Sequence, residues 1–392
     1  MARLNGFTKQ QLLDVYRIMF SARALDNKIL IMLKQNKGFF HMGCSGHEAA
    51  QVAAALTINE GGDWSYPYYR DGAYTLALGM TPRDHLLAFL GRAADPNSGG
   101  RQMPMHYSNK SLRIVSQSSA TGTQYLQSVG CALTRKLEKN KEVVYVSSGE
   151  GTTSQGDFHE ALNWACIEKA PVVFHIQDNE YAISTHKSEQ TAGSVYSLAS
   201  GYENLSRYEV DGTSFFETNL AFKQAVERAR RGKGPSIIIS NVVRLLPHSS
   251  SDDQRKYRTA EDLEKDLQKD PILLFKNNCV NEKIFTENDI VKIEKQVNKQ
   301  IDEDAIWAED QDHPDANTAL NYIYSEENTG TETKLVNKSE NIVMVDAINH
   351  ALHEEMAKNE KMIIYGQDIA DPKGGVFTAT KGLSTVFGKE RV

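Results

Sequence analysis

The chain has 392 residues, 40% of them hydrophobic and 24% charged, with a net charge of −7 and a pI near 5.9. That balance suits a globular protein of about two domains, or one large domain with an appendage, and argues against nucleic acid or an anionic membrane as a partner. The cysteines (Cys44, Cys131, Cys166, Cys279) are scattered, with no CxxC pair, and Met1 to Asn5 lacks a signal-like apolar core. No apolar run is long enough to span a bilayer, so a reducing, cytoplasmic setting is expected.

Thr8 with Gln11 predicts a capping box that opens an amphipathic helix through Leu12, Tyr16, Met19 and Leu25 to about Leu33. Glycine-containing stretches at 38–41 and 43–46 end it, and a second helix is expected from His47 to Leu56. Tyr66 to Asp71 sets aromatic rings beside a guanidinium. Either these residues pack and make a surface salt bridge, or Arg70 grips phosphate oxygens bidentately while Tyr69 shapes a pocket wall. Asn97 to Tyr107 reads as a loop. Ser116 to Gln124, dense in hydroxyls, opens a helix from Tyr125 to Lys136. Those hydroxyls serve as helix caps, or cradle a phosphate or a monovalent cation; the residues favour neither.

The next stretch organises the rest. Val143 to Val146 is a buried strand running through Ser147-Ser148 into the turn Gly149-Glu150-Gly151, and Thr152 to Ala165 is expected to be helical. Val172 to Ile176 is a second apolar strand, ending at Gln177-Asp178-Asn179-Glu180-Tyr181. A strand–helix–strand crossover makes parallel neighbours, and ligands bind at the carboxyl ends of such strands. Glu150 and Asn179 are therefore expected at one sheet edge, where hard oxygen donors beside a helix start suit a magnesium ion carrying a diphosphate. Gly149 and Gly151 would let the backbone approach the phosphates. The bland alternative is a glycine turn with a solvated Glu and a turn-forming Asn.

Ser214 and Glu217 predict a capping box for a helix to Arg231, and Pro235 to Ser240 is a further buried strand. It delivers Arg244, His248, Asp252 and Asp253 towards the same edge. A lone histidine is usually structural or solvated, but His248 follows a strand and sits between an arginine and two acids. The chain from Thr259 to about Trp307 reads as charged helices and 308–340 as a polar, acidic linker. Residues 341–392 start afresh, with a helix from Met344 to Ala357, a buried strand from Met362 to Asp368 and a loop at Gly374 to Phe377. About fifty residues in that pattern cannot bury a core alone, so this segment is expected to be the opening of a second domain.

The Gly-Glu-Gly turn and the later Asn179 resemble the thiamine-diphosphate fingerprint. Four runs extend the likeness: 100–104 (GRQMP), Gly149-Glu150-Gly151, 181–185 (YAIST) with Ser188-Glu189-Gln190, and 248–253 (HSSSDD). With them the chain to about residue 305 resembles the alpha subunit of thiamine-diphosphate-dependent 2-oxoacid dehydrogenases, the branched-chain type most of all. Residues 342–392 resemble the start of that family's beta subunit. The resemblance implies an α/β, doubly wound parallel sheet of the thiamine-diphosphate-binding fold in 1–307, including a helical C-terminal region. A linker in 308–340 and a truncated pyrimidine-binding domain in 341–392 would follow.

It further implies that Glu150, Asn179 and the Tyr181 carbonyl hold magnesium. Tyr69, Arg70, Ser119, Thr121, Gly149, Gly151, Thr152 and His248 would contact thiamine diphosphate. Ser118, Ala120, Thr123 and Gln124 would match a potassium site. The implied reaction is decarboxylation of a branched-chain 2-oxo acid and transfer of the acyl group to the lipoyl arm of an acyltransferase core, by a homo-oligomer. His248 would be proton donor or guide for the lipoyl group. Two residues depart from the family: Gln177 stands for a phosphate-contacting arginine and Glu180 for a glycine. Ser249 matches a serine that kinases phosphorylate in mitochondrial relatives, although nothing in the chain implies a kinase. The glutamate that activates the cofactor would lie beyond Val392, so weak binding and poor turnover are expected of these residues alone. The rivals are a pyruvate-specific enzyme of the same family, a transketolase-like enzyme, and a non-catalytic doubly wound binding protein. The last lacks a supporting GxxxxGK[ST] or GxGxxG stretch.

Overall fold

The computed structural model describes residues 3–58, 62–324 and 341–392. Five parallel strands form its main sheet: β1 (Trp64–Tyr66), β2 (Val144–Gly149), β3 (Val172–Asp178), β4 (Ser206–Asp211) and β5 (Ser236–Asn241), in spatial order β1-β2-β3-β5-β4. The three central strands are apolar and almost wholly buried, as strands covered by helices on both faces must be. Their side chains alternate between two cores. Tyr145, Val173 and Ile238 enter one, while Val144, Val146, Phe174, Ile176, Ile237 and Ile239 enter the other. Each such side chain contributes about 1.5–3 kcal/mol by leaving water.

The first core is closed by α1 (Lys9–Lys34), α2 (Glu48–Ile58), α3 (Gly72–Leu78) and α4 (Pro82–Phe89), and the second by α5 (Gln124–Leu137) and α6 (Gly156–Glu168). Helix α7 (Phe215–Arg230) returns to the first core and is followed by α8 (Ala260–Gln268), α9 (Pro271–Asn281) and α10 (Glu287–Glu309). The capping box of Thr8 and Gln11 is present, and α1 buries Leu12, Tyr16, Met19, Leu25 and Ile29 along one stripe. Helix α2 is lined by alanines (Ala49, Ala53, Ala54) with no exposed surface, which lets α7 lie close; Asn219 Nδ2 donates to Ala53 O at 3.2 Å.

Several expectations need correction. Glu150 to Ser154 is a 3-10 turn and α6 begins only at Gly156, so Thr152 belongs to the turn. At α7 Ser214 accepts from the Glu217 N–H, but the Glu217 carboxylate accepts from Asp211 N at 3.0 Å, giving half a capping box. Strands β1 and β4 have no sequence counterpart above: β1 is three residues long and β4 is a partly exposed edge strand without clean alternation.

The chain divides into two units, Met1–Leu320 and Asn321–Val392. Residues 308–320 fall within the first unit. Ala93 N donates to Asp312 O at 2.9 Å, and Arg101 Nη2 to Thr318 O at 3.2 Å. Of the expected linker, residues 325–340 lie outside the described residues. In the second unit the helix α11 (Met344–Lys358) forms, but Met362 to Asp368 does not make a strand. A strand needs a neighbour for its hydrogen-bond ladder. Here Ile364 N donates instead to Arg391 O at 2.8 Å, and Ile363 and Tyr365 are 42% and 78% exposed.

Candidate active site

Because β2 and β3 are parallel and paired with Gly149 opposite Gln177, their carboxyl ends open at the same edge. Glu150 Oε2 accepts the Asn179 N–H at 3.2 Å, and Asn179 Oδ1 accepts the Tyr181 N–H at 3.2 Å. Glu150 is buried, and its Oε1 has no hydrogen-bond partner among the described residues. Burial, then the nearby Asp178 carboxylate, push its pKa up to about 7. An unpartnered buried carboxylate oxygen is unfavourable, and a cation would satisfy it. Among the described residues no three His, Cys, Asp or Glu side chains cluster as a metal cage. The donor set of one carboxylate, one carboxamide and one backbone carbonyl fits magnesium, a cation that fills its shell with phosphate oxygens.

Two arginines share this edge. Arg70 donates from Nη1 to Gly43 O at 2.7 Å and from Nη2 to His248 O at 3.2 Å. Arg244 donates to Ile183 O at 3.0 Å and to the Tyr257 hydroxyl at 2.8 Å, and its Nη1 lies 3.5 Å from the Tyr181 carbonyl. They are 2% and 1% exposed, and neither makes an ion pair among the described residues. Burial and then Arg70 lower the pKa of Arg244, against the pull of Tyr257 and Asp252, whereas at Arg70 burial is more than offset by the neighbouring Tyr69, Tyr68 and Asp26, which hold the pKa up. Burying such a charge costs several kcal/mol, which an anionic ligand would offset. Asp71 does not neutralise its neighbour Arg70. It accepts instead from Gln177 Nε2 at 2.6 Å and from the Ser147 hydroxyl, and burial pushes its pKa up to about 7.

Tyr69 lies between these groups, its ring 5.4 Å from the Arg70 guanidinium and edge-on to His248 at 5.9 Å. The Arg70 Nη2 lies 3.4 Å from His248 Nδ1. Since arginine only donates, that contact assigns the imidazole proton to Nε2. Burial, then Arg70, push the His248 pKa down to about 4, so at neutral pH the ring is an uncharged Nε2–H donor. Its loop is pinned: His248 N donates to Asp252 Oδ2 at 2.9 Å, and Ser250 N to His41 O at 2.8 Å. Ser249 is buried, with its Oγ 3.0 Å from Ser251 Oγ.

The hydroxyl-rich loop packs on the Glu150 turn at Gly122, where φ is +93° and a Cβ would meet Gln155 Cβ at 3.0 Å and Thr152 Cγ2 at 3.6 Å. In the same loop Ser119 Oγ is 2.6 Å from His106 Nε2. Thr123 Oγ1 donates to Ala120 O at 3.1 Å, and Gln124 Oε1 accepts from Gly122 N at 3.1 Å. These bonds tie the loop to itself, and none of them involves Ser118. Beside Gly149 a Cβ would find only ordinary contacts, whereas at Gly151 it would stand 2.6 Å from Ala182 Cβ. Gly151→Ala is therefore expected to push the Tyr181–Ala182 hairpin away and cost about 1–3 kcal/mol, read as a lower thermal midpoint. An unchanged midpoint would contradict that packing.

Glu180, at the family's glycine position, takes a left-handed φ of +71°. Lys187 holds it, donating from N to Glu180 O at 2.8 Å and from Nζ to Glu180 Oε1 at 3.2 Å. His47, Gln51, Asp71 and Arg244 lie at this edge as well, although none was expected from the sequence to be a site residue. Arg244 had a signal, the same one that singled out His248: a polar group just past a buried strand. His47 and Gln51, on an alanine-rich helix start, had none.

Residues 16–317 match the family described as Dehydrogenase E1 component. The chain belongs to that family. The 2-oxoisovalerate dehydrogenase subunit alpha of Bacillus subtilis is 38% identical over 321 residues, which cover 82% of this chain and 97% of that protein. The 3-methyl-2-oxobutanoate dehydrogenase subunit alpha of Mycobacterium tuberculosis is 32% identical over 284 residues, 72% of this chain and 73% of that one. The pyruvate dehydrogenase E1 component subunit alpha of Bacillus subtilis is 32% identical over 301 residues, 76% of this chain and 78% of that one. The chain is thus an enzyme of the 2-oxoacid dehydrogenase class, an E1 component with alpha-type similarity through its first unit. No described helix is long and apolar enough to cross a membrane.

Proposed function

We propose that this E1 component decarboxylates a branched-chain 2-oxo acid with thiamine diphosphate and magnesium and passes the acyl group to a lipoyl-bearing acyltransferase core. The observation that carries the cofactor reading is the juxtaposition at one sheet edge of a buried carboxylate oxygen with no hydrogen-bond partner and two buried arginines with no directly paired carboxylate among the described residues. A cation bound to a diphosphate answers both at once. The substrate reading is supported by the longer and closer match to the 2-oxoisovalerate relative, 38% against 32% for the pyruvate relative.

In this reading Glu150, Asn179 and the Tyr181 carbonyl hold magnesium. Arg70, Gly149, Gly151, Thr152, Ser119 and Thr121 surround the diphosphate, and Tyr69 walls the pocket. When bound, thiamine diphosphate supplies the electron sink on which a 2-oxo acid loses carbon dioxide. The protein orients that group and excludes water, and His248 offers an Nε2–H donor that the Arg70 contact keeps aligned. Potassium is assigned to Ser118, Ala120, Thr123 and Gln124, where it would replace the Thr123–Ala120 hydrogen bond. Residues 341–392 are assigned to the start of a beta-type domain. Met344, Tyr365 and Phe377 are 80%, 78% and 85% exposed there, apolar surface that further structure or another copy of the chain would cover.

Calorimetric titration with thiamine diphosphate tests the assignment. Binding that needs magnesium, and weakens at least tenfold without it, is the expected result; no binding with or without the ion would refute it. In the assembled complex, reduction of an artificial acceptor should be faster with 3-methyl-2-oxobutanoate than with pyruvate. The reverse order would move the substrate assignment to pyruvate.

A further inference from the structure

We propose that His47 is a ligand of the cofactor diphosphate, and that a proton shared between its Nε2 and a phosphate oxygen makes the contact. The inference rests on the thiamine-diphosphate reading above and adds a residue to it. His47 immediately precedes α2, an eleven-residue helix whose first N–H groups point out of its start. The imidazole has no exposed surface, and its Nδ1 lies 2.8 Å from Gln177 Oε1.

The orientation of Gln177 follows from its neighbours. Gln51 Oε1 accepts from Ala73 N at 3.0 Å, so its Nε2 is the donor that reaches Arg70 O and Gln177 Oε1, each at 2.9 Å. Gln177 Nε2 in turn donates to Asp71 Oδ1 at 2.6 Å. Gln177 Oε1 is therefore an acceptor and His47 Nδ1 must carry the proton. This leaves Nε2 as a bare lone pair, fully buried and with no partner among the described residues. Burial and Arg70 hold the ring well below the usual imidazole pKa, opposed by the Gln177 hydrogen bond, with Arg244 and His175 the other titratable or charged groups acting on it.

Gln177 connects this ring to the site. It lies near the end of β3, two residues before Asn179, and the Tyr68 hydroxyl reaches its Oε1 at 3.4 Å, just ahead of Tyr69 and Arg70. Gln177 is the residue that departs from the arginine expected there. A neutral amide brings no charge to the phosphates, but its oxygen orients a histidine that can. A lone pair and a phosphate oxygen repel until one proton lies between them. That proton comes from solvent or from a P–OH group, forming an N–H bond at Nε2 and leaving every heavy-atom bond intact.

The test is calorimetry of the full chain with thiamine diphosphate and magnesium at pH 8, in two buffers of different ionisation enthalpy. At that pH a terminal phosphate with a pKa of about 6 is almost fully ionised, so the proton must come from the buffer. His47→Asn keeps an N–H for Gln177 and lacks Nε2. His47→Gln extends a permanent N–H donor to the Nε2 position and serves if the Asn variant fails to fold. Wild type should take up about one proton more per cofactor than either variant, and His47→Asn should bind roughly tenfold more weakly. Contributions from Glu150 and magnesium are common to all three proteins and cancel in the difference. Equal proton counts in wild type and a folded variant would overturn the role of His47. Absence of binding to wild type would instead overturn the thiamine-diphosphate reading, and this inference with it.

Discussion

Glu150→Gln should make the ligand-free protein more stable while abolishing magnesium-dependent cofactor binding. In the folded chain burial raises this carboxyl from 4.5 to about 7. A raised carboxyl pKa means the unfolded chain loses its proton first. Stability is therefore lost as pH rises from about 4.5, and the full penalty is reached above about 7. A displacement of that size corresponds to about 3 kcal/mol at pH 8. Glutamine removes the ionisation and keeps an oxygen for the Asn179 N–H, but its amide would stand unpartnered where Oε1 stood, at a cost of about 1–2 kcal/mol. The net gain of about 1–2 kcal/mol should raise the apo thermal midpoint by several degrees. The same change removes the one anionic ligand assigned to the metal. A variant that melts lower, or that still binds cofactor more tightly with magnesium than without, would contradict the role given to Glu150.

Arg70→Met should weaken cofactor binding by about a hundredfold, close to 3 kcal/mol, because a two-pronged, desolvated anion contact disappears. Its effect on stability is smaller, since opposite contributions meet. Removing a buried cation is favourable, but Gly43 O and His248 O lose their donor. His248 reports the change directly. Burial and Arg70 together push its pKa down to about 4, so without the guanidinium it should rise towards the usual imidazole value, read by NMR titration of the ring. Arg70→Lys keeps the charge but cannot span Gly43 and His248, and should recover only part of the affinity. A His248 pKa indifferent to both substitutions would show that Arg70 does not set its electrostatics.

Much of this site was legible in the residues because the physics was local. A buried apolar run followed by Gly-Glu-Gly, and a second run ending in Asp-Asn, force two oxygen-bearing side chains to one edge once the strands are parallel. The capping box at Thr8 and the stripe of α1 are equally local. The misses were of another kind. Strand β4 exists because β5 lies beside it, not because its own side chains alternate. Met362 to Asp368 has a strand's composition, but among the described residues no sheet in its unit accepts it. Asp71 looked like the partner of Arg70 and is turned to Gln177 and Ser147 by long-range packing. His47 gains its meaning only from Gln177, far along the chain, and no spacing rule links the two.

One observation reaches the central claim most directly. In crystals of the full chain grown with thiamine diphosphate and manganese in place of magnesium, the anomalous signal should locate one ion. It should lie within coordination distance of Glu150 and the Asn179 side-chain oxygen, beside the cofactor diphosphate. An ion found away from these two side chains, or a cofactor bound there with no ion between it and Glu150, would contradict the account.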